Sequence, residues 1–227
     1  PTTPPAIMDP SHLDELIELE DSYWWHVAKR KLVTRLLEKH FPPPGILVEG
    51  GVGSARNLVE FKELGYEVHG FDIMQESVSH AQDRGLEHVK QHDLSQPWPL
   101  DVGSVRVAVL LDVLEHLENP VEVLTHVSNV LEPDGGIIVT VPAYPWLYSN
   151  WDKSLGHFRR YTAKTLKRHA AEASLRVDWL SHWNSFSLPA AIAVRGYQKV
   201  LPRDDKPDFP RASPLMNRTL PPIAPGE

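Results

Sequence analysis

Three carboxylates stand where a short apolar run gives way to a turn: Glu49 in VEGGVGSA (48–55), Asp72 in GFDIM (70–74) and Asp93 in QHDL (91–94). The first lies beside Gly51-x-Gly53, a spacing that lets a ligand approach the backbone closely. Arg56 occupies the place of the third glycine in a dinucleotide fingerprint, and no Lys-Ser or Lys-Thr pair follows to cradle a triphosphate. A carboxylate at Glu49 would repel a pyrophosphate and favour an ammonium or sulfonium. About 20 residues beyond the glycines, Asp72 can accept the two hydroxyls of a ribose. Asp93 can accept from an adenine amino group. An Asp after a strand also serves as a turn or cap residue. The register of three acids with one glycine loop is what points to a nucleoside carrying positive charge.

Such residues must be held by regular elements. Helical spacing of apolar residues from Leu13 to Leu37 predicts one broken or two consecutive helices, with Ser11 as N-cap, ending at the prolines 42–44. Strands are predicted at 46–49, 67–72, 88–91, 105–111 and 137–141, with helices at 55–64, 75–84 and 120–131 and a turn at 133–136. This alternation implies βαβ units, a doubly wound, mostly parallel α/β sheet and ligand binding at the carboxyl ends of the strands. A helix at 162–173, a strand at 176–181, a helix at 188–200 and a Pro-rich irregular tail at 201–227 complete the expectation. The corresponding domains are a helical cap (1–44), the ligand-binding domain (45–200) and the tail.

With 227 residues, 41% of them hydrophobic, the chain can bury one substantial core. A net charge of -7 without basic clusters disfavours nucleic acid as a partner. The absence of cysteine removes thiol chemistry. No apolar run reaches the length of about 18 residues that a membrane span needs, and no signal peptide precedes the first helix, so a cytoplasmic protein acting on a small molecule is expected.

VEGGVGSA, GFDIM, QHDL, LLDVLEHLENP (110–120) and LEPDGGIIVTVP (131–142), in this order, resemble the successive motifs of class I S-adenosylmethionine-dependent methyltransferases acting on small molecules. The resemblance covers about residues 20 to 185. It implies a Rossmann-like methyltransferase fold, S-adenosylmethionine as cofactor, and Glu49, Gly51 and Gly53 around its methionine part. It further implies Asp72 at the ribose, Ile73 on the adenine, Asp93 and Leu94 at the amino edge, and Leu111 and Asp112 lining the same pocket. The family's usual Asp is Glu49 here, and its last glycine is Ala55. The segment Gly156-His-x-Arg-Arg-Tyr-Thr162, with the aromatic helix start Tyr23-Trp24-Trp25-His26, resembles a bacterial subgroup.

Methyl transfer asks for alignment of a nucleophile and, for a hydroxyl, removal of its proton. His116, after the fourth strand, can act as that base, with His157 as the competing candidate; packing under the next helix is the other role open to His116. Trp25, Tyr144, Arg159, Arg160, Tyr161 and Asn184 are expected around the acceptor, since Arg pairs with carboxylate or phosphate. An Arg-Tyr-Thr network that anchors the loop and caps the helix at Thr162 is an equal alternative. Asp112, Glu115 and His116 are similar to a divalent-cation motif of ubiquinone-biosynthesis O-methyltransferases; a metal there is not favoured. The rival functions are a non-catalytic S-adenosylmethionine-binding domain and an NAD-dependent oxidoreductase. No seventh strand is evident after Leu201, so the sheet edge invites pairing and a homodimer; a strict monomer in light scattering would count against it.

Overall fold

The computed structural model describes residues 10–183. Two helices come first, α1 (Pro10–Leu19) and α2 (Trp24–His40). The former begins before Ser11, with Pro10 in its first turn, where a missing N–H is harmless. Five strands follow: β1 (Ile46–Gly50), β2 (Glu67–Asp72), β3 (Val89–Gln91), β4 (Val105–Leu111) and β5 (Leu131–Thr140). The helices between and after them are α3 (Arg56–Glu63), α4 (Gln75–Asp83), α5 (Pro120–Val130), α6 (Asn150–Ser154) and α7 (Ala163–Glu172). All strand pairs are parallel in the order β3-β2-β1-β4-β5, so the direction of winding reverses between β1 and β4. A crevice opens at such a reversal, beyond the strand ends.

Apolar residues of β1 and β4 face both sides of the sheet, and each side has its own core. Val33 and Leu37 of α2 join Leu58 and Phe61 of α3 and Val78 and Ala81 of α4 on one side. On the other, Val123, Leu124 and Val127 of α5 pack with Phe71, Trp98 and Tyr161. Charge also fastens α1 and α2 to this frame: Arg30 bonds Glu20 O, Asp21 Oδ1 and Glu60 Oε2, and Arg84 reaches Glu20 Oε1.

Three local expectations are corrected. The turn at 133–136 lies inside β5, where four residues (132–135) loop between the pairs Val105↔Leu131 and Val107↔Gly136. The segment 176–181 is not a strand: it finds no ladder partner among the described residues, its Arg176–Asp178 ion pair is exposed, and Trp179 is 56% exposed. Ser11 is helical, not a cap. The predicted helix 188–200, Asn184 and the tail 201–227 lie outside the described residues. No helix among those described is long and apolar enough to cross a membrane.

Candidate active site

β1 carries Glu49 into the crevice and then turns sharply. Gly51 and Gly53 have φ of 74° and 52°, which side chains resist, and a Cβ on Gly51 would stand 2.7 Å from Val113 Cγ2. Gly51 N–H donates to Phe71 O, and Gly53 N–H donates to Asp72 Oδ2 at 3.0 Å, so the loop is tied to the end of β2. The second Asp72 oxygen accepts from Met74 N–H at 2.9 Å. Burial raises the Asp72 carboxyl while these backbone bonds oppose the rise.

Glu49 is 1% exposed, and its two oxygens differ. Oε1 accepts from Asn57 Nδ2 of α3 at 2.8 Å; Oε2 is buried with no partner among the described residues. Burial pushes its carboxyl up to about 8, against the pull of Asn57 and Lys29 and with a further push from Asp72. A buried oxygen without a partner is costly, and a cationic donor group entering the crevice would relieve it. The glycine cradle and this oxygen fit the ammonium of a methionine moiety.

Across the crevice, Asp112 follows β4 with φ of 56°. Its Oδ1 accepts from Thr140 Oγ1 at 3.0 Å, and its Oδ2 lies 2.6 Å from Lys29 Nζ of α2. Burial alone would raise Asp112, but Lys29, Thr140 and His116 hold it below the usual range. One helical turn before Lys29, Trp25 packs against Trp183 with ring centroids 4.5 Å apart, and Tyr144 stacks on His182 at 5.4 Å.

A turn of 3₁₀ helix, Leu114–His116, brings Glu115 and His116 against the loop after β5. Phe158 N–H donates to Glu115 O at 2.8 Å, and the rings of His116 and His157 meet edge to face at 4.6 Å. Asp152, fully buried, accepts from Arg160 Nε at 2.7 Å and from Ser149 N–H in the capping box of α6, and stands 3.3 Å from His157 Nδ1. Burial would raise Asp152, yet these bonds from His157, Arg160 and Ser149 hold it far below the usual carboxylate range. An ionised carboxylate can only accept, so Nδ1 of His157 is the donor in this pair. Burial and the neighbouring His157 push His116 down to about 4, which leaves it neutral.

The remaining expected residues divide by their bonds. Arg159 donates to Leu117 O and Glu118 O, Arg160 also to Ala143 O, and Tyr161, 2% exposed, to Leu114 O at 3.1 Å. Thr162 caps α7 through Thr165 N–H. These groups brace the loop. Asp93 accepts from Ser95 N–H and Oγ, Ile73 O accepts from Gln91, and Leu94 is buried beside Trp98. Leu111 ends β4 at the crevice. Among the described residues, Glu115, His116 and His157 offer ligand atoms within 4.8 Å of one another, so His157 stands where the sequence suggested Asp112, whose oxygens are bonded to Lys29 and Thr140. A second set, Glu67, His69 and His88, lies at the start of β2, away from the crevice. Sequence reasoning missed Lys29, Asp152 and the ring pair 182–183. A Ser-x-x-Asp capping box at Ser149–Asp152 was the one available signal.

The family model for a methyltransferase domain matches residues 23–180, most of the chain, and the chain belongs to that family. It is a methyltransferase of the S-adenosylmethionine-dependent kind. No curated protein matches it. Among solved structures, it is similar to YcgJ of Bacillus subtilis, with 18% identity, TM-score 0.58 and coverage of 76% of this chain and 81% of that one. An S-adenosylmethionine-dependent methyltransferase of Thermotoga maritima, a possible histamine N-methyltransferase, aligns at 20% identity and TM-score 0.58 over 72% of this chain and 76% of its own. Geranyl diphosphate C-methyltransferase of Streptomyces coelicolor, solved with Mg²⁺, geranyl diphosphate and S-adenosylhomocysteine, aligns at 16% identity and TM-score 0.51 over 63% and 59%. At these identities the likeness is one of fold.

Proposed function

We propose that the protein methylates an oxygen of a small metabolite, with the His116–His157 pair receiving the proton that the acceptor hydroxyl gives up. The observation that carries this is the Asp152-oriented imidazole of His157, edge to face with a neutral His116 at the carboxyl end of β4. S-adenosylmethionine supplies an electrophilic methyl group on a sulfonium. Glu49 and the glycine loop hold the methionine end of this donor, Asp72 the ribose, and Ile73, Asp93 and Leu94 the adenine. Asp152 keeps His157 in the tautomer whose Nε2 accepts a proton, and stabilises the imidazolium that forms. A carboxylate-oriented imidazole favours a hydroxyl acceptor, which must be deprotonated for attack.

Trp25, packed on Trp183, and Tyr144, stacked on His182, form aromatic walls suited to a flat or apolar acceptor and to excluding water. Arg159, Arg160 and Tyr161 hold the wall in place, and α1 and α2 are its cover. The partner is a diffusible small molecule in the cytoplasm, with no metal required. The test is methyl transfer from labelled S-adenosylmethionine to phenols, sugars and amines, with and without EDTA. O-methylated product at an unchanged rate in EDTA is expected. Transfer to amines alone, or loss of the rate on chelation, overturns the proposed chemistry; donor binding with no transfer to any acceptor points to a binding domain.

A further inference from the structure

We infer that Glu67, His69 and His88 form a zinc-binding site that joins β2 to β3, apart from the crevice and from methyl transfer. The inference goes beyond the methyltransferase reading and does not rest on it. Glu67 and His69 alternate with Val68 in β2, so their side chains leave the same face of the sheet. Gly70 N–H donates to His88 O at 3.2 Å and Gly70 pairs with Val89, which sets His88 beside His69 just before β3 begins. The two imidazoles are stacked, with ring centroids 4.7 Å apart and planes 11° from parallel. His69 Nε2 lies 2.9 Å from Glu67 Oε1. One ligand atom from each of the three side chains lies within 4.8 Å of the other two.

A Glu–His pair on one strand is by itself a surface ion pair. The second imidazole, brought in from the neighbouring strand, changes what the group can do: two ring nitrogens and one carboxylate oxygen are a ligand set for zinc, with a water in the fourth position. Calcium and magnesium ask for more oxygen ligands than this set supplies. Zinc bonds of about 2.0–2.2 Å in a tetrahedron place the ligand atoms about 3.4 Å from one another, so the triad must close by about an ångström. Glu67 and His88 are exposed and have room to turn inward, while His69, with a side chain 16% exposed, is the fixed member. The ion would then clip two strands that the chain connects only through α4. β3 is three residues long and ends the described sheet, so a cross-strand ligand bridge adds to a short ladder. Asp72, at the far end of β2, stands about 16 Å from Glu67 along the strand, which puts the ion out of reach of the crevice.

The test uses the full chain without an affinity tag, freed of metal by EDTA and dialysis, with zinc alone as the probe. Calorimetry and thermal melting compare the wild type with His88→Ala, Glu67→Gln and His157→Ala, the last a control for the second group of metal-ligating side chains, Glu115, His116 and His157. Zinc that binds only the folded chain should raise the melting temperature by about 5–10 °C at roughly 100 times Kd. His88→Ala should weaken this binding by more than about 100-fold, beyond the 10- to 100-fold that loss of a supporting outer residue costs, and abolish the thermal shift. Its metal-free melting temperature and its methyl-transfer rate should be those of the wild type. Glu67→Gln should weaken binding in the same direction. Cobalt in place of zinc should give the intense visible bands of a four-coordinate ion in the wild type and in His157→Ala, and lose them in His88→Ala. Wild-type protein that binds no zinc, zinc held equally by His88→Ala, or zinc lost in His157→Ala while His88→Ala keeps it, each overturns the site.

Discussion

The two walls of the crevice are finished differently. On the wall built from β1, β4 and α2, polar groups are buried and left open: among the described residues Glu49 Oε2 has no partner and Lys29 uses one of three donors. On the wall built from the loop after β5, Arg159, Arg160, Tyr161 and Thr162 are bonded to backbone or to one another's neighbours. Both walls are rich in charged side chains, so composition does not separate them. Open hydrogen-bonding capacity does, because leaving it open in the dark of the protein costs stability unless a ligand supplies the missing partner. The first wall is built to be completed by something else; the second completes itself and presents the imidazoles.

The comparison breaks most visibly at its catalytic edge. His157→Ala should lower kcat by about 10²- to 10⁴-fold, the usual yield of a positioned base, with donor affinity unchanged in calorimetry. Asp152→Asn should lower kcat in the same direction and also lower the melting temperature, since it loosens Ser149, Arg160 and His157 together. An equal loss of donor binding in either variant would erase the distinction between the walls.

The next effect is on the open wall. Glu49→Gln should weaken binding of S-adenosylmethionine by about 10- to 100-fold, because the entering ammonium can draw the buried carboxyl into its ionised form, and an amide has no such form. Its stability should move the other way with pH. The Glu49 pKa is raised to about 8 in the folded protein, so its favourable contribution is complete below the unfolded value near 4.5 and is lost as pH rises through 8. Urea denaturation at pH 5 and pH 9 should therefore show Glu49→Gln gaining on the wild type at the higher pH, on the order of a few kcal/mol. A constant difference across that range would mean that Oε2 is not held protonated by burial.

The smallest effect lies outside both walls. Ser174, beyond α7, has φ of 60°, and Leu175 N–H bonds back to Ala170 O at 2.8 Å. That is a Schellman ending, where glycine is the favoured residue. Ser174→Gly should add about 0.5–1 kcal/mol to stability with activity unchanged, as read from denaturation and turnover.

Much of this frame is legible in the sequence because it follows from local pattern. The run at 105–111 is apolar apart from Arg106 near its start, as a strand covered on both faces should be, and β4 has those same bounds. The glycines and the acids Glu49 and Asp72 stand at strand ends where a short-range signal could place them. What could not be read depends on distance along the chain. Lys29 meets Asp112 across 83 residues, and nothing in the helical spacing of α2 marks one lysine among its Lys and Arg residues as turned inward. The role of Arg159 and Arg160 was ambiguous for the same reason: a guanidinium meant for a ligand and one meant for a carbonyl in its own loop look alike until the loop closes. In β5 the residues of a turn, Pro133-Asp134-Gly135-Gly136, are absorbed as a bulge because the flanking pairs with β4 hold on both sides.

Among the described residues, four other than glycine adopt left-handed backbone: Ala55, Asp112, Tyr144 and Ser174. The first three follow the carboxyl ends of β1, β4 and β5, around the mouth of the crevice, and each holds a conformation that its own Cβ disfavours. This has a practical meaning for anyone seeking a hardier version of the protein. Random screening for heat resistance would be drawn to these positions, where glycine or asparagine eases the backbone, and would collect variants that endure boiling better and turn over worse. Ser174 is where endurance can be improved without that trade.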